Sequence, residues 1–414
     1  RHPPAGLFRR GKSTRIKCGW VSALAASDTV GLLIGRRLLK DTLAGVPSFE
    51  DVRFYLQAAR RYGVELFIFE PGGIRGRSGK AEGYVPRPGG GFRRVVRRIP
   101  PVVYDRTSPK SRAAPLRLER RGVKVFNPPV RLDKYDAYRL LSRSWSARAY
   151  VPETYLLSEA PLEWFSTVLA EGAEVFVKPR AGSLGRGVCR FVPLGRGRCL
   201  FQSGLREATF ASARSAWRRL LEAKGGRASR YIAQRGIPLA EVRGRRFDLR
   251  VPVQRDAEGD WVVSGPRARV AGPLGYVTNV ARGGAVEKDI PALLAESLPG
   301  LDPAAVVESV EEAAFDVAAA IARRHPLMAD LGLDVGIDKE GRPWLIEVNV
   351  RPLRYTVKGV GDWAESYFPP IGFAAHLLRE EGGEGFFASI FLRRGGSPAR
   401  PLRGFRMPWF RLWG

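Results

Sequence analysis

The chain has few of the residues that several familiar chemistries require. Its three cysteines, Cys18, Cys189 and Cys199, show no metal-ligand spacing and cannot all pair, which excludes a disulfide framework and points to a reducing compartment. Three histidines, His2, His325 and His376, stand apart from every motif below and read as structural or solvated. No run approaches the ~18 apolar residues of a membrane span. The start shows no charged-then-apolar secretory pattern, and it opens on Arg1, as a truncated N-terminus would. Acidic residues are scarce, 41 against 69 lysines and arginines. The resulting net charge of +28 attracts polyanions such as nucleic acid, anionic lipid or a phosphate-rich polymer. Residues 1–17 and 393–414 each carry six basic and no acidic side chains. The abundance of arginine, alanine, glycine and proline also fits a compositional bias of the source genome.

What is present is globular: 44% hydrophobic and 10% aromatic residues over 414 positions, enough for two or three domains. The apolar segment from Trp20 ends in a buried-strand pattern. Phe49 to Tyr62 has helical spacing, and Val64 to Phe69 reads as a strand. Residues 71–98, with eight basic side chains against Glu82, read as an irregular hairpin or exposed loop. Pro100 to Arg106 reads as a strand whose polar end is where ligands meet an open α/β sheet.

Asp133 is the expected N-cap of a helix opening on Lys134. A lysine there opposes the helix dipole unless an anion binds, although a plain surface lysine gives the same pattern. In Glu174 to Val192 a strand ends on Lys178, and Gly182, Gly185 and Gly187 follow before a second strand. Glycines let backbone N–H groups approach phosphate oxygens. Without a following helix or Gly-Lys-Ser this is neither a Walker loop nor a dinucleotide fingerprint. Tyr231 to Leu239 has the composition of a hinge. Phe247 to Gln254 alternates, placing Asp248, Arg250 and Gln254 on one face, and a returning segment carries Arg267 and Arg269. Arginines on such a face suit phosphate when enclosed and form a weak ion-pair ladder when exposed. Pro252 should confine that strand to an edge or a bulge. Pro303 to Arg324 reads as a long helix.

Leu333 to Arg351 then reads as a hairpin around Lys339-Glu340-Gly341-Arg342. Pairing Lys339 with Arg342 puts Asp334 opposite Glu347, with Asp334, Gly336 and Asp338 on one face of the first strand and Leu345, Glu347 and Asn349 on one face of the second. Opposed carboxylates repel unless a cation lies between them, and oxygen ligands at this spacing suit Mg²⁺. A solvated hairpin has the same letters.

The series NPPVRLDK, VFVKPRAGSLGRGV, YIAQRGIPL, RRFDLRVPVQRD, VTNVARGG and LGLDVGIDKEGRPWLIEVNVRP resembles the ATP-grasp superfamily, most closely the endospore coat-associated YheC/YheD type. It covers about residues 125–352. The resemblance implies an α/β fold in which two α+β lobes sandwich ATP behind an N-terminal α/β domain. The implied boundaries are a basic arm at 1–17, the N-terminal domain at 18–129, first and second lobes at 130–232 and 233–385, and a basic aromatic tail at 386–414. Lys134 and Lys178 would hold phosphates, Gly182, Ser183, Gly185 and Gly187 would belong to a mobile lid, and Gln234 would line the adenine hinge. Asp334, Glu347 and Asn349 would bind one or two Mg²⁺ ions, with Mn²⁺ as an alternative. Arg250, Arg267 and Asn279, joined by Arg351, would face the transferred phosphate and the acyl substrate.

The implied activity is an ATP-dependent carboxylate–amine ligation through an acylphosphate, with the substrates unidentified. The alternatives are a non-catalytic ATP-binding protein of the spore coat, or a polyanion- or nucleic-acid-binding protein. The expected location is the cytoplasm, that of the mother cell or at the spore coat. The basic tails, with Phe405, Trp409, Phe410 and Trp413, suit docking to coat proteins, a membrane surface or an anionic polymer.

Overall fold

The computed structural model describes residues 28–46, 48–76, 78–108, 111–130, 132–182, 185–272, 285–354 and 364–382. Ser183, Asn279, Cys18, the 277–284 motif and both basic tails lie outside these residues. Among the described residues, no helix is long and apolar enough to cross a membrane.

Three sheets organise the chain. The first is built on buried strand Thr29–Ile34, which pairs in parallel with Glu65–Phe69 on one side and Val102–Arg106 on the other. Because the chain crosses from one flank of this strand to the other, the strand order reverses there. The carboxyl ends of Thr29–Ile34 and Val102–Arg106 therefore open a crevice of the kind that holds ligands in open α/β sheets. Lys124–Phe126 extends the sheet beside Val102–Arg106. The segment expected to be irregular is instead a regular hairpin: Lys80–Pro86 pairs residue for residue with Phe92–Arg98. Its arginines are accommodated because the outer strand is largely exposed, while Ala81 and Val85 of the inner strand are buried.

The second sheet is antiparallel, with Val175–Pro179 between Cys189–Gly195 and Tyr231–Arg235. Helices Leu162–Ala170 and Ala213–Lys224 cover it through Phe165, Val168, Trp217 and Leu220. The helix Ala213–Lys224 begins at a reciprocal cap between Ser212 and Ser215, which satisfies N-terminal donors that would otherwise lack partners.

The third sheet centres on Arg245–Arg255, flanked by Asp330–Ile337, which pairs in turn with Pro343–Asn349. Pro252 does not make this an edge strand. On one flank it pairs with Gly332. On the other it falls where the partner changes from Arg267–Val270, which pairs with residues 247–250, to Trp261–Val263, which pairs with 253–255. The missing N–H thus sits in a gap between two partners. Helix Pro303–Arg324, capped by Asp302, lays Val306, Val310, Ala314, Val317 and Ile321 on the sheet. The last described helix, Phe368–Gly382, returns to the first sheet, where Ile371, Phe373 and Leu377 share a core with Tyr55, Tyr104 and Phe126.

Candidate active site

One cavity of about 860 Å³ draws lining residues from all three sheets. It contains Lys134, Lys178, Gly182, Gly185, Gln234, Arg250, Asp334, Glu347, Asn349 and Arg351, residues the sequence singled out across more than 200 positions. Gly187 and Arg267 are not among its lining residues.

The hairpin Asp330–Asn349 shows how local sequence sets the site. Asp334 does lie opposite Glu347, but the turn is not the expected one. Asp338 closes it with Arg342, and its carboxylate accepts from the backbone N–H groups of Glu340 and Arg342 and from Trp344 Nε1. Gly341 supplies the positive φ of 79° that this loop demands. A bulge then restores the Asp334–Glu347 register, because Val335 pairs with Leu345 while Asp334 pairs with Glu347. Ile346 is the extra residue and lines the cavity; Leu345 is buried in the core. Leu345 therefore does not share a face with Glu347 as simple alternation predicts. Bulges re-aim side chains beside functional sites in this way.

Asp334 is 7% exposed. Arg250 Nε approaches its Oδ1 at 2.7 Å and Arg269 Nη2 its Oδ2 at 3.0 Å. Burial alone would push this carboxyl up, but the two guanidiniums override it and hold the group below the usual carboxylate range. Glu347 Oε1 lies 3.0 Å from Lys134 Nζ. The opposed carboxylates are thus neutralised by three of the chain's own cations. Beside them, Asn349 Nδ2 is buried with no hydrogen-bond partner among the described residues. Turning that amide over places its oxygen there, which gives two carboxylates and a carbonyl oxygen, a donor set that fits a hard divalent ion. Among the described residues no group of three or more acids, histidines or cysteines is suited to a metal, so an ion held here would need the Asn349 amide beside the two carboxylates.

The lysines come from different elements. Asp133 caps helix Lys134–Leu141, accepting from the N–H groups of Tyr135 and Asp136, and thereby fixes Lys134 at the first helical position. Lys134 Nζ also donates to the carbonyl of Gly182 at 2.9 Å, so it touches the glycine loop and the hairpin together. Lys178 Nζ donates to Gln234 Oε1 at 2.6 Å, and Gln234 Nε2 donates to Thr154 Oγ1 at 2.9 Å. The Gln234 side chain is therefore spent on orienting Lys178; Arg235, Gly236 and Ile237 continue the cavity wall beside it. Gly236 must be glycine because a Cβ would sit 2.9 Å from the Glu174 carbonyl.

Burial pushes Lys178 down to about 8, and although Glu347 favours its charged form, Lys134 opposes it. At pH 8 about half of this lysine is neutral in the free protein. Binding of a polyphosphate should restore its charge, so calorimetry at pH 8 in buffers of different ionisation enthalpy is expected to show uptake of up to about half a proton per nucleotide. The apparent affinity should weaken as pH rises above 8. Binding without proton uptake would remove Lys178 from phosphate contact.

On the strand Arg267–Val270, Arg267 pairs in register with Arg250 and Arg269 with Asp248. Both arginines share the face. Arg269 lines the cavity and binds Asp248 and Asp334, whereas Arg267 donates to the Pro266 carbonyl and lies 3.7 Å from Glu365. In the sequence Arg269 has the same conditional phosphate role as Arg267; the register opposite Asp248, which the structure supplies, separates the two. Arg351 binds the Asp105 carboxylate at 2.7 Å and the Asn127 carbonyl at 2.8 Å, tying the end of the hairpin to the first sheet.

The family model for YheC/D-like ATP-grasp proteins matches residues 122–377, the stretch that supplies both lysines, the glycine loop and the hairpin. The chain belongs to the YheC/D-like ATP-grasp family. It is 26% identical over 304 residues to the endospore coat-associated protein YheD of Bacillus subtilis (strain 168), covering 70% of this chain and 64% of YheD. It is 22% identical over 262 residues to the endospore coat-associated protein YheC of the same strain, covering 61% and 69% respectively. The chain thus spans less than two thirds of YheD. Among solved structures, D-cycloserine synthetase DcsG is similar at 17% identity with a TM-score of 0.45, over 84% of this chain and 99% of that one. The ATP-grasp ligase PsnB, complexed with minimal precursor, matches at 17% identity and a TM-score of 0.43, over 86% and 99%. Residues of the second and third sheets face one another across the cavity.

Proposed function

We propose that this protein is an ATP- and Mg²⁺-dependent ligase that phosphorylates a substrate carboxylate and passes the acyl group to an amine or similar nucleophile. The observation that carries the reading is the convergence of Lys134, Lys178, Asp334, Glu347 and Asn349 on one cavity. Lys134 and Lys178 hold the nucleotide phosphates. Asp334, Glu347 and Asn349 would hold Mg²⁺, which supplies charge stabilisation at the transferring phosphoryl group. Arg250 and Arg269, already directed at the carboxylate of Asp334, stand where guanidinium can meet phosphoryl oxygens. A carboxylate oxygen attacks the γ-phosphorus, the bond to the bridging oxygen breaks, and ADP leaves with that electron pair. The nucleophile then adds to the acyl carbon and phosphate departs. Positioning and charge complementarity dominate such a transfer, which matches a cavity lined by no histidine among the described residues. The glycine loop from Gly182 to Gly187, already touching Lys134, is suited to exclude water from the acylphosphate.

A second reading is a nucleotide-binding protein without turnover, favoured by one observation: both carboxylates are already occupied by Lys134, Arg250 and Arg269. The names of the two Bacillus relatives suggest a place at the spore coat under either reading. ADP formation in a screen of carboxylates and amines separates them. Phosphate release that requires a carboxylate is the expected result, and nucleotide binding with no release under any acceptor supports the second reading. Absence of a MgATP-dependent rise in melting temperature would overturn both.

A further inference from the structure

The cavity carries more positive charge than a nucleotide uses. Eleven lysines and arginines line it against four carboxylates. Carboxylates at or behind the wall neutralise some of these cations: Glu50 and Asp330 face Arg106, Asp105 faces Arg351, Glu174 faces Arg246 and Glu171 faces Arg235. The seven remaining cations face three acids, Asp248, Asp334 and Glu347. MgATP brings about two net negative charges, and Lys134 and Lys178 are the groups placed for them.

Two of these seven, Arg36 and Arg37, stand on the first-sheet wall. Arg36 and Arg37 follow Gly35 at the carboxyl end of strand Thr29–Ile34, inside the crevice where the strand order reverses, and both are exposed. They open helix Arg36–Leu43, which has no acidic residue in its first turn and no side-chain cap. Cations at that end oppose the helix dipole. Arg37, whose side chain is 88% exposed, lies 3.9 Å from Asp41. Also lining the cavity is Arg351, 9% exposed, which uses its terminal nitrogens on Asp105 and Asn127 and leaves Nε buried without a hydrogen-bond partner among the described residues.

We infer that the acid activated by this enzyme carries at least one further anionic group, which docks against Arg36, Arg37 and the start of their helix while the reacting carboxylate faces Arg250 and Arg269. This inference rests on the ligase reading and narrows its substrate to polyacids. A cavity near the upper end of the roughly 300–1,000 Å³ range of small-molecule sites has room for a second ligand beside the nucleotide.

Binding of butyrate, glutarate, tricarballylate and 3-phosphonopropionate is measured by calorimetry on the full chain with Mg²⁺ and a non-hydrolysable ATP analogue. The acids with two or three charges are expected to bind at least about tenfold more tightly than butyrate, as charge-assisted contacts to guanidinium require. Comparison of glutarate with 3-phosphonopropionate decides whether the second anion is carboxylate or phosphoryl in character. The double variant Arg36→Ala/Arg37→Ala, whose altered side chains are exposed, should erase the preference and leave the affinity for the nucleotide analogue unchanged. Equal binding of all four acids, failure of the multiply charged acids to bind at millimolar concentration, or a preference that survives the double variant overturns the inference. Loss of analogue binding in the unaltered protein overturns the ligase reading itself.

Discussion

Glu347→Ala is expected to lower ATP-dependent phosphate release by at least about 100-fold while leaving the melting temperature unchanged or slightly higher, because metal-held charge contributes several kcal/mol to such transition states. The two readouts separate for a physical reason. In the free protein Glu347 stands opposite Asp334, and like charges directly opposed across strands cost roughly 0.2–1 kcal/mol. Its compensating contact with Lys134 is partly exposed, so the pair adds little stability. Removing the carboxylate relieves repulsion and, on the proposed reading, deletes a metal donor in one step. A structural hairpin gives the opposite pattern: activity retained, or lost only in proportion to stability. The measurement is phosphate release across a Mg²⁺ titration, beside thermal unfolding of both proteins. A variant with unaltered Mg²⁺ dependence would remove Glu347 from the metal site.

The legible parts of the sequence were those in which local chemistry dictates geometry. Asp133 before Lys134 is a helix start by the hydrogen bonds it accepts, and the structure shows those bonds. Strand Val175–Pro179, which carries Lys178 near its end, follows from its β-rich run, and helix Pro303–Arg324 from its apolar spacing. The hairpin was legible in its outcome and not in its detail. The expected two-residue turn and the observed wider loop plus bulge give the same Asp334–Glu347 pairing, but only the latter sends Leu345 to the core and Ile346 to the cavity. Alternation counts residues and cannot see an inserted one. The cavity's third wall was less legible, since Arg36 and Arg106 reach it only through the parallel pairing of strands about 70 residues apart. Likewise, nothing local distinguishes Arg269 from Arg267; the choice depends on which end of the sheet meets the cavity.

Least legible was the junction around Asp330, and its disruption is the second large expected effect. Asp330 is fully buried on the same strand as Asp334. Its carboxylate accepts from the Tyr104 hydroxyl, from Arg106 at 3.0 Å, from Arg354 at 2.9 Å and from Gln254 at 2.7 Å. Tyr104 and Arg106 belong to the first sheet, more than 220 residues away in the chain, so no pattern in either segment announces the other. Asp330→Ala leaves two buried guanidiniums short of an anion, and breaking such a cluster by removing one partner costs about 3–5 kcal/mol. At about 2.1 cal/mol/K per residue over 414 residues, the expected fall in melting temperature is about 3–6 °C. Burial alone would push the Asp330 carboxyl up, but Arg354 and Arg106 hold it below the usual range. Its contribution is therefore present above the unfolded carboxylate value of about 4 and lost as pH falls through the lower folded value. The stability difference between wild type and Asp330→Ala should accordingly narrow in acid. Arg106 also binds Glu50 and the Pro352 carbonyl, and both Arg106 and Glu50 line the cavity. The cluster thus fixes the first-sheet wall against the strand that carries Asp334. A double-mutant cycle of Asp330→Ala with Arg106→Ala should give a coupling energy above about 1 kcal/mol. Additive effects would mean that the two sheets meet through apolar packing and that the cavity's third wall is free to move independently of the hairpin that carries Asp334 and Glu347.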